Sequence, residues 1–287
     1  MSRSLGIPCL LLLFLLLLDV RTIAAEAPLP RDAAEASTRN RRILLIGQGP
    51  DGHPFSTHEY MGGVQLLARL LQPVQRLQSL IVRADGPWAQ GPELIDGADA
   101  VVLFVSEGAH WIRQNDKRLK AFQRLAARQG GCVCLHWGMG SRKADNIADF
   151  VKLFGGCHGG PDRRYKVVQS RARIATKHPV THGLADFDVN DEFYYTLKFA
   201  KTPRITPLLT VTIDSMPHTV AWAWQRADGG RSFGFSGCHF HRNWTVPEYR
   251  RLVAQSVLWS ANVAVPDDFS VDVPQSALRL DPRPASP

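Results

Sequence analysis

Ala100-Val-Val-Leu-Phe-Val105 and Cys132-Val-Cys-Leu-His136 are two short, continuously apolar runs, and between them Gln114 to Arg128 repeats its apolar positions at helical spacing. A strand, an amphipathic helix and a second strand in that order form a βαβ unit. Such a unit needs parallel strands joined by a crossover. Upstream, Arg42-Ile-Leu-Leu-Ile-Gly47 reads as the strand that begins the fold. The segment after it places Val64, Leu67, Ala68, Leu70 and Leu71 on one helical face, with Ser56 or Thr57 as its cap. Leu80-Ile-Val82 is a further strand. The first half is therefore α/β, a doubly wound, mostly parallel sheet of flavodoxin-like type.

The second half changes character. Tyr165–Ile174, Leu208–Ile213, Thr219–Trp224 and Ser232–Phe235 are strand runs separated by Gly, Asp and Pro turns, which predicts added antiparallel β structure. Arg226-Ala-Asp-Gly-Gly-Arg231 is a hairpin turn signal. Pro247–Ala261 reads as a closing helix with proline at its first turn. The stretch from Val265 to Pro287 holds five prolines and is expected to be a surface strap or disordered.

The chain has 287 residues, with 45% hydrophobic and 21% charged, values that exclude wholesale disorder and fibrous repeats. Its formal net charge of +8 is spread without a basic tract interleaved with aromatics, so nucleic acid is not expected as a partner. Arg3, the apolar run Leu5–Leu18 and small residues near Ala24 and Ala25 have the pattern of a secretory signal. That run is shorter than the roughly 18–20 residues that cross a bilayer, so no stable membrane insertion is expected once it is cleaved. The resulting division is a signal peptide over 1–25, a spacer over 26–40, an α/β domain over 41–263 and a proline-rich tail over 264–287. The expected location is periplasmic or extracellular. Oligomeric state is left open.

Four cysteines remain after the leader: Cys132, Cys134, Cys157 and Cys238. Cys132 and Cys134 alternate on one strand and are poorly placed for a mutual bridge; a Cys157–Cys238 bridge is allowed but unforced. Buried small hydrophobes are the plainer reading.

In a wound sheet the ligand crevice lies at the carboxyl ends of the strands. Three histidine-bearing segments fall there. Asp51-Gly-His53-Pro-Phe-Ser-Thr-His58-Glu59-Tyr60 follows the first strand, His136-Trp137-Gly138 follows the Cys132 run, and Gly237-Cys238-His239-Phe-His241 follows the Ser232 run. His239 and His241, two apart on an extended stretch, point one way and are a candidate metal pair, with His53 and His58 as further ligands. Alternatively, Glu59 and His58 only complement a helix start. Asp191 and Glu192 are adjacent, so on a strand at most one of them enters the site as base or ligand; a solvated turn is the alternative. His136 and Gly138 stand as in a strand-turn-helix elbow, with histidine in the nucleophile's place. Cys134 lies back in the strand, which disfavours Cys-His acyl transfer. His182 reads as structural, His178 is open between a turn-fixing and a functional role, and Asn243-Trp244-Thr245 matches a glycosylation sequon, which matters only in a eukaryotic secretory path.

Taken in order, Asp99-Ala-Val-Val-Leu-Phe, Gly130-Gly-Cys-Val-Cys-Leu-His136, Phe154-Gly-Gly156, His178-Pro-Val-Thr, Asp191-Glu192 with its following tyrosines, and Gly230-Arg-Ser-Phe-Gly-Phe-Ser-Gly-Cys-His239 carry a family likeness. From about Arg42 to Asn262 the chain resembles the ThuA-like (trehalose-utilisation) family, whose fold is similar to class I glutamine amidotransferase domains. The family's usual Gly-His pair is here Gly237-Cys238-His239. The resemblance implies carbohydrate breakdown by a hydrolase or lyase acting on glycosides oxidised to 3-keto sugars, where the ketone acidifies the adjacent C–H. It implies His136, Glu192 or Asp191 as the catalytic acid-base groups. A divalent metal, zinc or similar, would be held by His53, His58, His239 or His241. Trp137, Tyr60 and Trp244 would contact the saccharide, as Trp222 and Trp224 would if they are not core. No nucleotide cofactor is expected. The other readings are a non-catalytic secreted carbohydrate-binding module and an amidohydrolase using Cys134.

Overall fold

The computed structural model describes residues 39–280, so the signal-peptide reading, most of the spacer and the last seven residues lie outside it. The first strand, β1 (Arg41–Gly47), alternates Ile43 and Leu45 into one core with Leu44 and Ile46 into another. A strand buried on both faces must have helices on both. They are α1 (Tyr60–Leu71) on one side, and α2 (Gly91–Asp96), α3 (Gly108–Arg113) and α4 (Asp116–Ala127) on the other. Between them run β2 (Leu77–Arg83), β3 (Ala100–Leu103) and β4 (Gly131–Leu135). Two short strands, β5 (Gly140–Ser141) and β6 (Gly156–Gly159), flank α5 (Ile147–Phe154). The second half supplies β7 (Tyr165–Ile174), β8 (Phe187–Tyr194), β9 (Lys198–Phe199), β10 (Ile205–Ile213), β11 (Met216–Gln225) and β12 (Arg231–Phe235), then α6 (Pro247–Ser260).

The main sheet has nine strands in the order β2-β1-β3-β4-β12-β11-β10-β7-β8. The ladders from β2 through β12 are parallel. Those from β12 through β8 are antiparallel. The α/β reading with an antiparallel addition thus holds, and β12 is the joint: it is parallel to β4 on one side and hairpin-paired to β11 on the other. The expected Arg226–Arg231 turn makes that hairpin. The buried Arg226 guanidinium donates to Gly130 O at 2.6 Å and Ser232 Oγ at 2.7 Å, tying the turn to the start of β4.

Local differences from the expected pattern have local causes. The first helix has no Ser56 or Thr57 cap. Ser56 and His58 adopt φ of 69° and 51°, and Ser56 N–H donates instead to Glu59 Oε1 at 2.8 Å, which delays the helix to Tyr60. In α4 the cap is Asn115, whose side chain accepts from Arg118 N at 3.0 Å. Trp222 is core, roofed by Gly234 and Gly156, with Nε1 donating to Phe154 O at 3.0 Å. All four described cysteines are free and buried, so no Cys157–Cys238 bridge forms. No helix of the described residues is long and apolar enough to cross a membrane.

The tail is a strap rather than disordered chain as far as Leu280. Phe269 and Val271 enter the core shared by α1 and α6, and Arg250 and Arg251 of α6 donate to the Val271 and Phe269 carbonyls at 2.8 and 3.0 Å. Deleting a buried phenyl ring leaves a cavity as well as losing transfer energy. Phe269→Ala is therefore expected to lower the unfolding free energy by roughly 3 kcal/mol, read as a lower urea midpoint at unchanged slope. A shift within about 0.5 kcal/mol would mean that the strap lies loosely on the surface.

Candidate functional site

Three loops meet at the carboxyl ends of β1, β4 and β12. The loop after β1 pairs with the loop after β12 through a Thr57–Phe240 bridge, with His58 N–H donating to His239 O at 3.0 Å and His241 N–H to Ser56 O at 2.9 Å. This backbone ladder sets His58 beside His239. His136 comes from below, at the turn where β4 ends, with φ of 47°. The tight turn rests on Gly138, where an added Cβ would lie 2.4 Å from the Leu103 carbonyl oxygen. The expected elbow is therefore present, but its histidine is fully buried rather than exposed.

The three rings converge. His136 Nε2 lies 3.0 Å from His58 Nε2 and 3.1 Å from His239 Nδ1, and Glu192 Oε1 lies 3.8 Å from both His136 Nε2 and His239 Nδ1. His136 Nδ1 is 2.8 Å from the Ser236 carbonyl oxygen, which only accepts, so the ring proton sits there and Nε2 is bare. His58 Nδ1 faces Asp51 Oδ2 at 2.9 Å, which likewise leaves His58 Nε2 bare. Two lone pairs facing each other at 3.0 Å repel; a cation between them resolves the arrangement. Tetrahedral ligation at zinc's usual bond length sets donor nitrogens about 3.3 Å apart. Three neutral imidazoles, two with their far nitrogen held by an oxygen acceptor, are a donor set that fits a divalent ion such as zinc, with the Glu192 carboxylate beside it.

The electrostatics agree. Burial, reinforced by the neighbouring His58 and His239 rings, pushes His136 well below the usual imidazole range, and burial takes His239 down to about 3. Burial also lowers His58, against the opposing pull of Asp51. All three are thus held in the neutral, ligating form. Asp51 resists its own burial because His58, Tyr60 and His53 donate to it, and it stays well below the carboxylate range. Glu192 rises to about 7, first through burial and then through the charge of Asp191 behind it.

Several expected residues take other places. His241 does not share a side with His239. The chain turns at Cys238 (φ 82°) and enters a 3-10 turn at His241, whose ring packs near Gly62 and is outside the converging group. His53 is at the rim, its Nδ1 2.7 Å from Asp51 Oδ1 and its ring stacked on His58 at 3.7 Å. Asp191 is not placed to meet a substrate. It is fully buried and accepts from Cys238 N at 2.9 Å, Phe240 N at 3.1 Å, Glu192 N at 3.0 Å and Tyr249 Oη at 2.6 Å, so it clamps the His239 loop to β8. As the alternation required, Glu192 then faces the opposite way, into the site. Tyr60 is 1% exposed and donates to Asp51 Oδ2 at 2.7 Å; it orients a histidine's partner rather than contacting a saccharide. Trp244 is 1% exposed in the core against Gly63. Trp137 is covered, with the Arg142 guanidinium 5.4 Å above its ring. His178 caps a turn, accepting from Val180 N at 3.2 Å. Asn243 of the sequon is buried and donates to Asn190 O at 3.0 Å, which closes it to glycosylation. Cys134 is buried, with burial pushing its thiol well above the ordinary range, as the disfavoured thiol route required.

Two participants were not singled out from sequence. Tyr194, two residues after Glu192 on the same strand face, places its hydroxyl 3.0 Å from His136 Nε2. His158 stacks on Tyr194 at 3.9 Å. The alternation of a strand through 192 and 194 was the available signal for the first; nothing in sequence marks the second.

A family profile described as trehalose utilisation (ThuA) matches residues 57–260. Among solved structures, a ThuA-like protein from Bacteroides uniformis ATCC 8492 is similar over 77% of this chain and 91% of its own, at 13% identity and a TM-score of 0.58. Gan42B, a GH42 β-galactosidase, is similar over 79% of this chain and 30% of its own, at 8% identity and a TM-score of 0.51. A glutamine amidotransferase from Thermotoga maritima aligns over 78% of this chain and 99% of its own, at 8% identity and a TM-score of 0.45. At these identities the likeness is one of fold. No curated protein matches the chain.

The geometry separates ligands from bystanders. Purified protein is expected to hold about one divalent ion per chain by elemental analysis. His136→Ala and His239→Ala should lower its affinity at least tenfold to a hundredfold, roughly the scale of disturbing a single site partner, whereas His241→Ala should leave it unchanged. Equal losses in all three variants would place the ion elsewhere.

Proposed function

The chain belongs to the ThuA (trehalose utilisation) family, and we propose that it cleaves glycosides whose sugar ring carries a 3-keto group, by elimination followed by hydration. The observation that carries this reading is the convergence of three neutral imidazoles, two of them with their inner nitrogen bare, with a single carboxylate, Glu192, which keeps 14% of its side chain exposed at the mouth. Ordinary glycosidases work with two carboxylates flanking the bond. Here the second acid, Asp191, has both oxygens engaged inside the protein. One base beside an electrophilic centre suits abstraction of a proton from carbon next to a carbonyl.

In this reading His58, His136 and His239 would hold a divalent ion, which would supply Lewis acidity toward the ketone oxygen. Glu192 Oε1 takes the C2 proton, for which a carboxylate raised toward neutrality is well matched. The C–H electron pair forms the C1–C2 double bond as the C1–O bond breaks, and the departing oxygen takes up a proton. Water then adds across the double bond to give the free keto sugar. Asp51 and Ser236 O hold His58 and His136 in the tautomers that leave their inner nitrogens bare. Asp191 holds His239 and Glu192 at fixed separation through the loop it clamps. Export by the leader would suit a saccharide met outside the cytoplasm.

The test is turnover of an oxidised disaccharide against its unoxidised parent, with and without chelator. Cleavage of the keto sugar alone, abolished by chelator and restored by metal, is expected. Glu192→Gln should lower kcat by roughly 10²–10⁴ with the protein still folded. Chelator-insensitive turnover, or cleavage of the unoxidised sugar, would contradict the reading. Saccharide binding without turnover by wild type and Glu192→Gln alike would make the chain a binding module.

A further inference from the structure

The sheet face that carries Glu192 does not end at the mouth of the site. The β7–β8 register pairs Val167 with Glu192 and Tyr165 with Tyr194. Residues directly opposed on antiparallel strands project to the same side, with Cβ atoms roughly 4.5–5.5 Å apart. Glu192 and Tyr194 turn into the site. Their partners Tyr165 and Val167 stay in solvent, 59% and 47% exposed, among the few large hydrophobic side chains so placed in the described residues. The Tyr165 ring stands edge-on to Tyr194, centroids 6.4 Å apart at 81°, and the Tyr194 hydroxyl reaches His136 Nε2 at 3.0 Å. The next opposed pair along the face is Gln169 and Asn190, two amides, and Arg242 donates to Asn190 Oδ1 at 2.9 Å.

A lone exposed hydrophobe asks for no explanation. Here Val167 is paired in register with Glu192, Tyr165 is paired with Tyr194 and stands edge-on to its ring, and the next opposed pair is two amides, so the face forms a continuous ledge running out from the site. We propose that Tyr165 and Val167 form the subsite for the leaving saccharide of the glycoside, the ring expelled when the C1–O bond breaks. This rests on the proposed function and names the part of the substrate that this face selects. A pyranose ring presents C–H bonds on its faces and hydroxyls at its rim. An exposed phenol ring and a valine offer the apolar surface for the first, and amides offer hydrogen bonds for the second. The step from Glu192 to Val167 is one strand spacing, roughly 5 Å. The leaving ring is joined to the carbon next to the proton being removed, so the ledge begins where that ring must lie. A glycoside with a second sugar would therefore bind better than one with a small alkyl group.

The experiment compares Michaelis constants for an oxidised disaccharide and the corresponding oxidised methyl glycoside, in wild type, Tyr165→Ala and Tyr165→Phe. Residue 165 is an exposed strand position, so neither change disturbs the core. Tyr165→Ala should raise KM for the disaccharide roughly tenfold at similar kcat, as loss of uniform binding does. It should leave the methyl glycoside unchanged, and Tyr165→Phe should behave as wild type. Equal effects on both substrates, or none on the disaccharide, overturn the proposal while leaving the proposed reaction standing. If wild type turns over neither substrate, the proposed reaction falls, and calorimetric titration with the unoxidised disaccharide decides the ledge alone. Weaker binding by Tyr165→Ala than by wild type supports it; equal heats in the two proteins overturn it.

Discussion

Two loops that leave the sheet far apart in sequence hold each other by backbone hydrogen bonds, and the rest of the site follows from that contact. The Thr57–Phe240 bridge and the His58–His239 backbone bond bring the loop after β1 against the loop after β12. Neither loop could keep its shape alone: Ser56, His58 and Cys238 all have positive φ, a conformation that costs side-chain-bearing residues energy and persists only where neighbours impose it. Asp191 imposes it on one loop, accepting from both Cys238 and Phe240, and Asp51 on the other through His58 and Tyr60. Asp191, expected to compete with Glu192 for the catalytic place, is thus a structural clamp, as is Asp51, and Glu192 is left as the acid that faces solvent.

Burial and hydrogen bonding then act in one direction on the rings. A protonated imidazole has no bare nitrogen for a metal, and here burial disfavours protonation at His58, His136 and His239. The outer partners, Asp51 and Ser236 O, select the tautomers of His58 and His136 whose bare nitrogens face inward. The same burial makes Glu192 a weaker acid, which in the proposed reaction would keep the base near neutrality while the imidazoles stay neutral. One physical cause, burial, serves both ends.

How much of this the sequence carried follows from which signals are local. The strands β1, β3, β4 and β12 are continuous apolar runs, and the helix α6 announces itself with proline and spaced leucines and valines, so the wound sheet was legible. The clustering of strand-end histidines was legible too, because topology alone sends those ends to one crevice. Direction was not. His241 was expected beside His239 on the assumption of an extended chain, but the chain enters a 3-10 turn at His241. Trp244 and Tyr60 have the composition of sugar-contacting residues and yet are core and support, since only the tertiary path decides which face an aromatic ring takes. Beyond placing Asp191 and Glu192 on a strand, the sequence marked neither the extent of β8 nor its partner, and with these went Tyr194 and the paired ledge of Tyr165 and Val167, which exist only through cross-strand register.

The central claim is that the inner nitrogens of His58, His136 and His239 surround a metal ion rather than share protons. Anomalous diffraction from crystals grown with zinc or cobalt tests it directly. One anomalous peak is expected about 2.0–2.1 Å from His58 Nε2, His136 Nε2 and His239 Nδ1. A peak bound elsewhere, or none at this position with the metal in excess, would contradict it.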